Sequence, residues 1–172
     1  MKIKLFVGAL IALGATNVAM AAETITFQGT IDSNTCTVGV GGTASPTVTL
    51  PTVGVASLDT AGKTAGATPF TINISGCSTT ADDVAVRFAA HNPDGANLGL
   101  TPASTATNVS VQLLSGSAGS TPIAFNTGIA TSATATTASG SAAYNLTAQY
   151  YAKAAAGAGS VTAVTDYEVI YP

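Results

Sequence analysis

The chain has 172 residues, and only 8% of them are charged, against about a quarter in a typical soluble domain. We expect an amino-terminal segment to be removed. The remaining chain has three basic and eight acidic residues, a net charge of about −5. This balance, with no cluster of basic residues, argues against binding to nucleic acid.

The amino-terminal segment is typical of a secretory signal peptide. Lys2 and Lys4 precede an apolar run over Leu5–Ala15, and small residues follow as far as Ala22. The run is too short to span roughly 30 Å of hydrocarbon. We therefore expect residues 1–22 to be a signal peptide cut after Ala21 or Ala22, and no membrane span in the mature chain.

The first strand expected in the mature chain is Thr24–Ile31, which alternates strictly between apolar and polar positions. The positions on its inward face are Ile25, Phe27, Gly29 and Ile31. Such alternation of β-branched and aromatic residues is typical of a half-buried strand. Because this strand opens the mature chain, its partner is either its own sheet or another molecule, and the pattern alone leaves both open.

Further strand signals recur along the chain, with glycine, proline or asparagine between them. The segments expected to be extended are Cys36–Val40, Pro46–Leu50, Phe70–Ser75, Val84–Phe88, Asn108–Leu114, Pro122–Phe125, Ala143–Tyr151 and Val161–Tyr171. We expect a short strand or loop over Val53–Leu58, and breaks or loops over Asp59–Ala67, Thr127–Ser139 and Ala154–Ser160. No segment after the signal peptide favours a helix, so the pattern predicts an all-β sandwich.

The two cysteines, Cys36 and Cys77, are predicted to form one disulfide, as an even pair in an exported chain indicates. The bond would close a loop of about 40 residues and stabilise the fold by roughly 4 kcal/mol. Their spacing differs from metal and redox motifs, and His91 is the only histidine, beside a predicted turn. We therefore expect no metal site.

No catalytic motif is present in the sequence. The segment Gly62-Lys63-Thr64 is similar to the end of a phosphate-binding loop, but Ser57 stands where that loop needs a glycine. There is no G-x-S-x-G motif and no convergent set of nucleophile, base and orienting group. We expect neither an enzyme nor a cofactor.

The order of these features resembles a known family. Besides the signal peptide and the alternating first strand, the chain has Cys36 early in the mature part, Cys77 after an alternating strand, and a carboxyl-terminal strand with Tyr167, Val169 and Tyr171 on one face. Together these residues resemble a pilin of the chaperone–usher (type 1 fimbrial) class, similar to a major subunit. The match covers essentially the whole mature chain.

The resemblance implies an incomplete immunoglobulin-like β-sandwich over residues 32–172, completed by a donor strand from the neighbouring subunit. Residues 23–31 would be the donor extension, with Ile25, Phe27, Gly29 and Ile31 pointing into the neighbour's groove. That extension is short, because at most Ala22 and Glu23 precede Thr24. The acceptor groove, and the contact with the chaperone, would be formed by Tyr167, Val169 and Tyr171.

The resemblance also implies partners and a location. A periplasmic chaperone would fill the groove first, and the extension of the next subunit would displace it at the outer-membrane usher. The expected product is a head-to-tail filament of identical or related subunits at the cell surface, a fimbrium that supports adhesion.

Three other functions remain open at this point. The chain could be a minor adaptor or terminator subunit of a fimbria. It could be an adhesive subunit, although the tip adhesins of the family add a lectin domain for which the chain has no room. It could also be a free-standing exported β-sandwich that binds a small ligand, which would be a stable monomer.

Overall fold

The computed structural model describes residues 36–40, 46–77, 83–116, 121–132, 134–138 and 140–172. All of them belong to one unit, Ser33–Pro172. The predicted signal peptide, residues 1–22, and the predicted donor extension, residues 23–31, lie outside the described residues. Within the described ranges, no helix is long and apolar enough to cross a membrane.

The described residues form eleven strands and one turn of 3-10 helix over Val55–Leu58. The strands are β1 Thr37–Val40, β2 Thr64–Ser75, β3 Asp83–Ala90, β4 Pro93–Asp94, β5 Asn97–Leu98, β6 Thr107–Ser115, β7 Thr121–Pro122, β8 Ile129–Thr131, β9 Ala135–Thr136, β10 Ala142–Gly157 and β11 Thr165–Ile170. The prediction of an all-β fold is confirmed.

The strands pair into two antiparallel sheets. The larger sheet has the order β1-β2-β10-β6-β5-β4, with β7 beside β6. In the smaller sheet β3 is central, with β11 on one side and β8 on the other, and β9 also pairs with β3. Among the described strands β11 pairs with β3 alone, so the last strand of the chain is an edge strand.

The core lies between the sheets and follows the alternation of their strands. Its largest fully buried side chains include Ile72 and Ile74 of β2 and Phe88 of β3. Phe88 packs edge to face on Phe125, with ring centroids 6.4 Å apart. Phe70 is only partly buried at the border of this core. The alternate apolar residues of the predicted strand Phe70–Ser75 therefore face the core.

Two predicted loops overlap the ends of the long strands β10 and β2. The predicted break at Ala154–Ser160 is wrong over its first half, because β10 continues to Gly157. Ala152 and Ala156 pack there against Leu58 of the 3-10 turn. Small side chains therefore continue the strand beyond the part of its sequence that alternates.

The run Asp59–Ala67 was also expected to be a break, but its last four residues begin β2. Gly66 has φ +69° and lies at a register shift opposite β10, where an added Cβ would be 2.9 Å from the ring of Tyr150. The glycine permits a bulge without ending the strand. Gly66 therefore suggested a loop in the sequence, although β2 continues past this position with a bulge.

The remaining differences concern pairing. Thr127–Ser139 contains the short strands β8 and β9, and Ala130 of β8 is buried. The strand expected over Pro122–Phe125 is reduced to β7, Thr121–Pro122. Pro46–Leu50 and the first residues of Val161–Tyr171 are not in a strand, although both were predicted to be. These two segments border the site described next.

Candidate functional site: an open groove between the sheets

An open groove of about 780 Å³ lies between the two sheets, beside β11. Much of its lining is the apolar core itself. The lining residues of the core strands are Phe70, Ile72, Phe88, Leu98, Val111, Leu113, Ala148 and Tyr150. The groove therefore exposes a surface that, in a complete sandwich, another element would cover.

One border of the groove is the segment Pro46–Leu50. Its side chains alternate between half-buried and exposed, and Val48 and Leu50 pack on the core. The segment thus has the period of a strand, yet it belongs to no strand in the described part of the chain. This is why the sequence pattern predicted a strand here.

The other border is formed by residues 161–167. Its first part is held by hydroxyl groups of a loop in place of a neighbouring strand. The backbone N–H of Thr162 donates to Ser104 Oγ at 2.9 Å, and the N–H of Ser160 donates to Thr105 Oγ1 at 2.8 Å. The N–H of Thr101 donates to the carbonyl of Thr162 at 2.8 Å. These bonds fix the border although it is outside the ladder.

The second part of this border is β11. Its outer face carries Asp166, whose Oδ1 lies 3.0 Å from His91 Nε2, and Glu168, which pairs with Arg87. Its inner face carries Tyr167, opposite Phe88 in the register and packed against the core. Burial raises the pKa of the Tyr167 phenol and so favours its neutral form.

The three predicted acceptor residues lie at different places. Tyr167 lines the groove. Val169 packs against the core but is not among the described lining residues. Tyr171 is 39% exposed, and its Oη accepts a hydrogen bond from the backbone N–H of Cys36 at 3.1 Å. The predicted donor residues Ile25, Phe27, Gly29 and Ile31 lie outside the described residues.

Sequence reasoning missed part of the groove. It did not single out Val48, Leu50, Val161 or Ala163, which line the groove and pack on the core. The signal was present, because both segments alternate in the sequence. Alternation reports which face is buried, and it does not report whether a neighbouring strand is present.

The predicted disulfide is confirmed. Cys36 and Cys77 are bonded, with their Cα atoms 4.3 Å apart. The bond joins the start of β1 to the end of β2, directly beside the paired residues Thr37 and Ser75. It therefore closes one end of the larger sheet.

The groove is chemically simple. Besides tyrosines, the only ionisable group in its described lining is Asp166, whose carboxylate lies beside His91. The other polar lining residues are threonines. This surface suits the apolar side chains of an extended chain.

Comparison with known proteins identifies the family of the chain. The profile of the fimbrial protein family matches residues 25–172. The chain is 42% identical over 162 residues to the major fimbrial subunit SMF-1 of Stenotrophomonas maltophilia (strain K279a), covering 89% of this chain and 95% of that protein. It is 36% identical over 179 aligned positions to the F17 fimbrial protein of Escherichia coli, covering 99% and 98%.

The fold is also that of solved pilus structures. A chain of a chaperone–usher pilus matches with a TM-score of 0.64 at 17% identity, covering 92% of this chain and 100% of that one. The family profile and the curated relatives confirm the resemblance to a fimbrial pilin, and the solved pilus structure confirms the fold that it implied. This chain belongs to the fimbrial protein family and is a structural subunit of a fimbria.

Proposed function

We propose that the subunit polymerises by donor-strand exchange, in which residues 23–31 of one subunit fill the groove of the next. The observation that carries the proposal is the open apolar groove along the edge strand β11. The edge strand provides backbone groups for pairing, and the groove takes alternate side chains. This is recognition by β-strand addition.

Energetics support this role for the extension. Burial of Ile25, Phe27 and Ile31 is worth about 1.5–3 kcal/mol each, or roughly 5–9 kcal/mol together. Whole domains are stable by only about 5–15 kcal/mol. A subunit with an empty groove would be marginally stable, and a filled one strongly stabilised. Because donation is head to tail, the contact is heterologous and builds an open filament.

The same marginal stability explains the partners that we propose. A secretory signal peptide over residues 1–22 would direct the chain to the periplasm. A chaperone would occupy the groove there, with Tyr167, Val169 and Tyr171 on the acceptor side. The chaperone would be replaced by the next subunit at an outer-membrane usher, and the fimbria would support adhesion at the cell surface.

A charge placed in the groove tests the proposal. Ala163→Glu puts a carboxylate at a half-buried lining position, and burying an unpaired charge costs several kcal/mol. We expect it to lower the yield of fibres, counted by electron microscopy, at least tenfold. The matched control is Ala154→Glu, the same change at an exposed position of β10 that is not among the described lining residues of the groove. We expect the control to stay within about twofold of the wild type, and equal fibre yields from both variants would refute the groove as the acceptor.

A further inference from the structure

The groove ends before the end of β11. From Val161 to Val169 every second residue is half-buried, and four of these positions line the groove: Val161, Ala163, Thr165 and Tyr167. The next two positions, Val169 and Tyr171, are not among the described lining residues. The groove therefore offers four inward positions along this border.

The end beyond Tyr167 is closed by the protein itself. Tyr171 directly follows β11 in the smaller sheet, and its Oη accepts the hydrogen bond from the N–H of Cys36, which precedes β1 in the larger sheet. The disulfide holds Cys36 in place, and Val38 and Val169 pack on the same core cluster. The contact thus joins the two sheets across the line of the groove.

The extension has a matching length. Its inward positions are Ile25, Phe27, Gly29 and Ile31, also four, which at about 3.3 Å per residue span roughly 20 Å, as do positions 161 to 167 if extended. The next inward position towards the amino end is Glu23, whose charge disfavours burial.

The closed end also sets the direction of the extension. After Ile31 the chain continues to Cys36 in its own subunit, so it has to leave the groove at the open end, beside Val161. Its amino end therefore faces Tyr171.

We propose that the contact between Tyr171 and Cys36 is an end stop, which limits the groove to four inward side chains and so fixes the register of the donor. The inference rests on the proposed function. Alternation forbids a slip of one residue, because that would turn every apolar side chain outward. A slip of two residues keeps the faces correct, so another device has to exclude it. A closed end excludes the slip towards Tyr171, and a slip the other way would leave the position beside Tyr167 without an apolar side chain.

Peptide binding to the mature chain, residues 23–172, tests the end stop. The probes are fluorescent peptides of residues 23–32, one with the natural sequence and one with Glu23→Val, which adds a fifth apolar inward side chain. On the wild-type protein we expect dissociation constants within about twofold, because the stop denies the valine a site. On Tyr171→Ala we expect the valine peptide to bind roughly tenfold more tightly than the natural one.

Two further variants complete the experiment. Tyr171→Phe removes only the acceptor oxygen, and we expect a gain in the same direction of at least about threefold, which keeps the test decisive if Tyr171→Ala does not fold. Tyr151→Ala, on the half-buried part of β10 outside the groove lining, is the control and should behave like the wild type.

The outcomes separate the two proposals. If the natural peptide does not bind the wild-type protein, the donor-strand proposal itself fails. If it binds, but the valine peptide already binds tenfold more tightly to the wild type, the end stop alone is refuted. Absence of any gain on both Tyr171 variants refutes it equally.

Discussion

Replacing Phe27 by alanine is expected to lower fibre formation by a factor of a hundred or more. Phe27 is the largest inward side chain of the proposed donor extension. Removing a buried phenylalanine side chain costs about 3–5 kcal/mol, and each 1.4 kcal/mol corresponds to a factor of about ten. The rate and yield of fibres, measured by electron microscopy and by the ladder of oligomers that resist detergent, would show the loss.

The neighbouring residue provides the control. Gln28→Ala removes an outward side chain of the same segment and should leave fibre yield within about twofold. Gly29→Arg should block assembly as Phe27→Ala does, because it adds a long charged side chain at an inward position. All three variants should still fold and bind the proposed chaperone, since the changes fall in the proposed donor extension, residues 23–31, and not in the proposed sandwich domain, residues 32–172. Normal fibres from Phe27→Ala and Gly29→Arg would show that residues 23–31 are not the donor.

Removing the disulfide is the second change with a large expected effect. The bond joins residues 41 positions apart, and on the chain-entropy model a loop of that size contributes roughly 4 kcal/mol. At about 2–4 °C per kcal/mol for a domain of this size, the double variant Cys36→Ser with Cys77→Ser should unfold roughly 10 °C below the wild type.

Reduction serves as the control for this prediction. Adding a reductant should lower the unfolding temperature of the wild type towards that of the double variant and leave the variant unchanged. An unfolding temperature within about 2 °C of the oxidised wild type would mean that the bond contributes little. The predicted stabilisation of roughly 4 kcal/mol would then be refuted.

The fold could largely be predicted from alternation. Ile72, Ile74 and Phe88 lie in the core. Their strands could be predicted because they are long enough, and varied enough in polarity, to show a period of two in the sequence. The errors fall where that contrast is absent. The end of β10 consists of alanine and glycine, whose two faces do not differ in sequence, and burial of Ala152 becomes visible only once Leu58 packs against it.

The site could be predicted only in part. Tyr167 lines the groove, and the sequence singled it out only because the resemblance pointed to the last strand. Its role as an acceptor residue stays a prediction. The border at Pro46–Leu50 was predicted to be a strand because its side chains alternate between half-buried and exposed. This alternation shows which side chains are buried and does not show whether the backbone pairs with a neighbouring strand. The bond between Tyr171 and Cys36 joins residues 135 positions apart through one hydroxyl group, and no local pattern encodes such a contact.

The most direct test of the account compares thermal unfolding of two proteins. One is residues 32–172 alone, and the other carries a second copy of Glu23–Asp32 after Pro172 through a flexible linker. A short linker suffices, because the proposed direction places the amino end of the donor beside Tyr171. The roughly 5–9 kcal/mol expected from strand burial predicts a rise of roughly 15–30 °C. A protein 32–172 that is already stable, with no rise when the strand is added, would show that the sandwich is complete by itself.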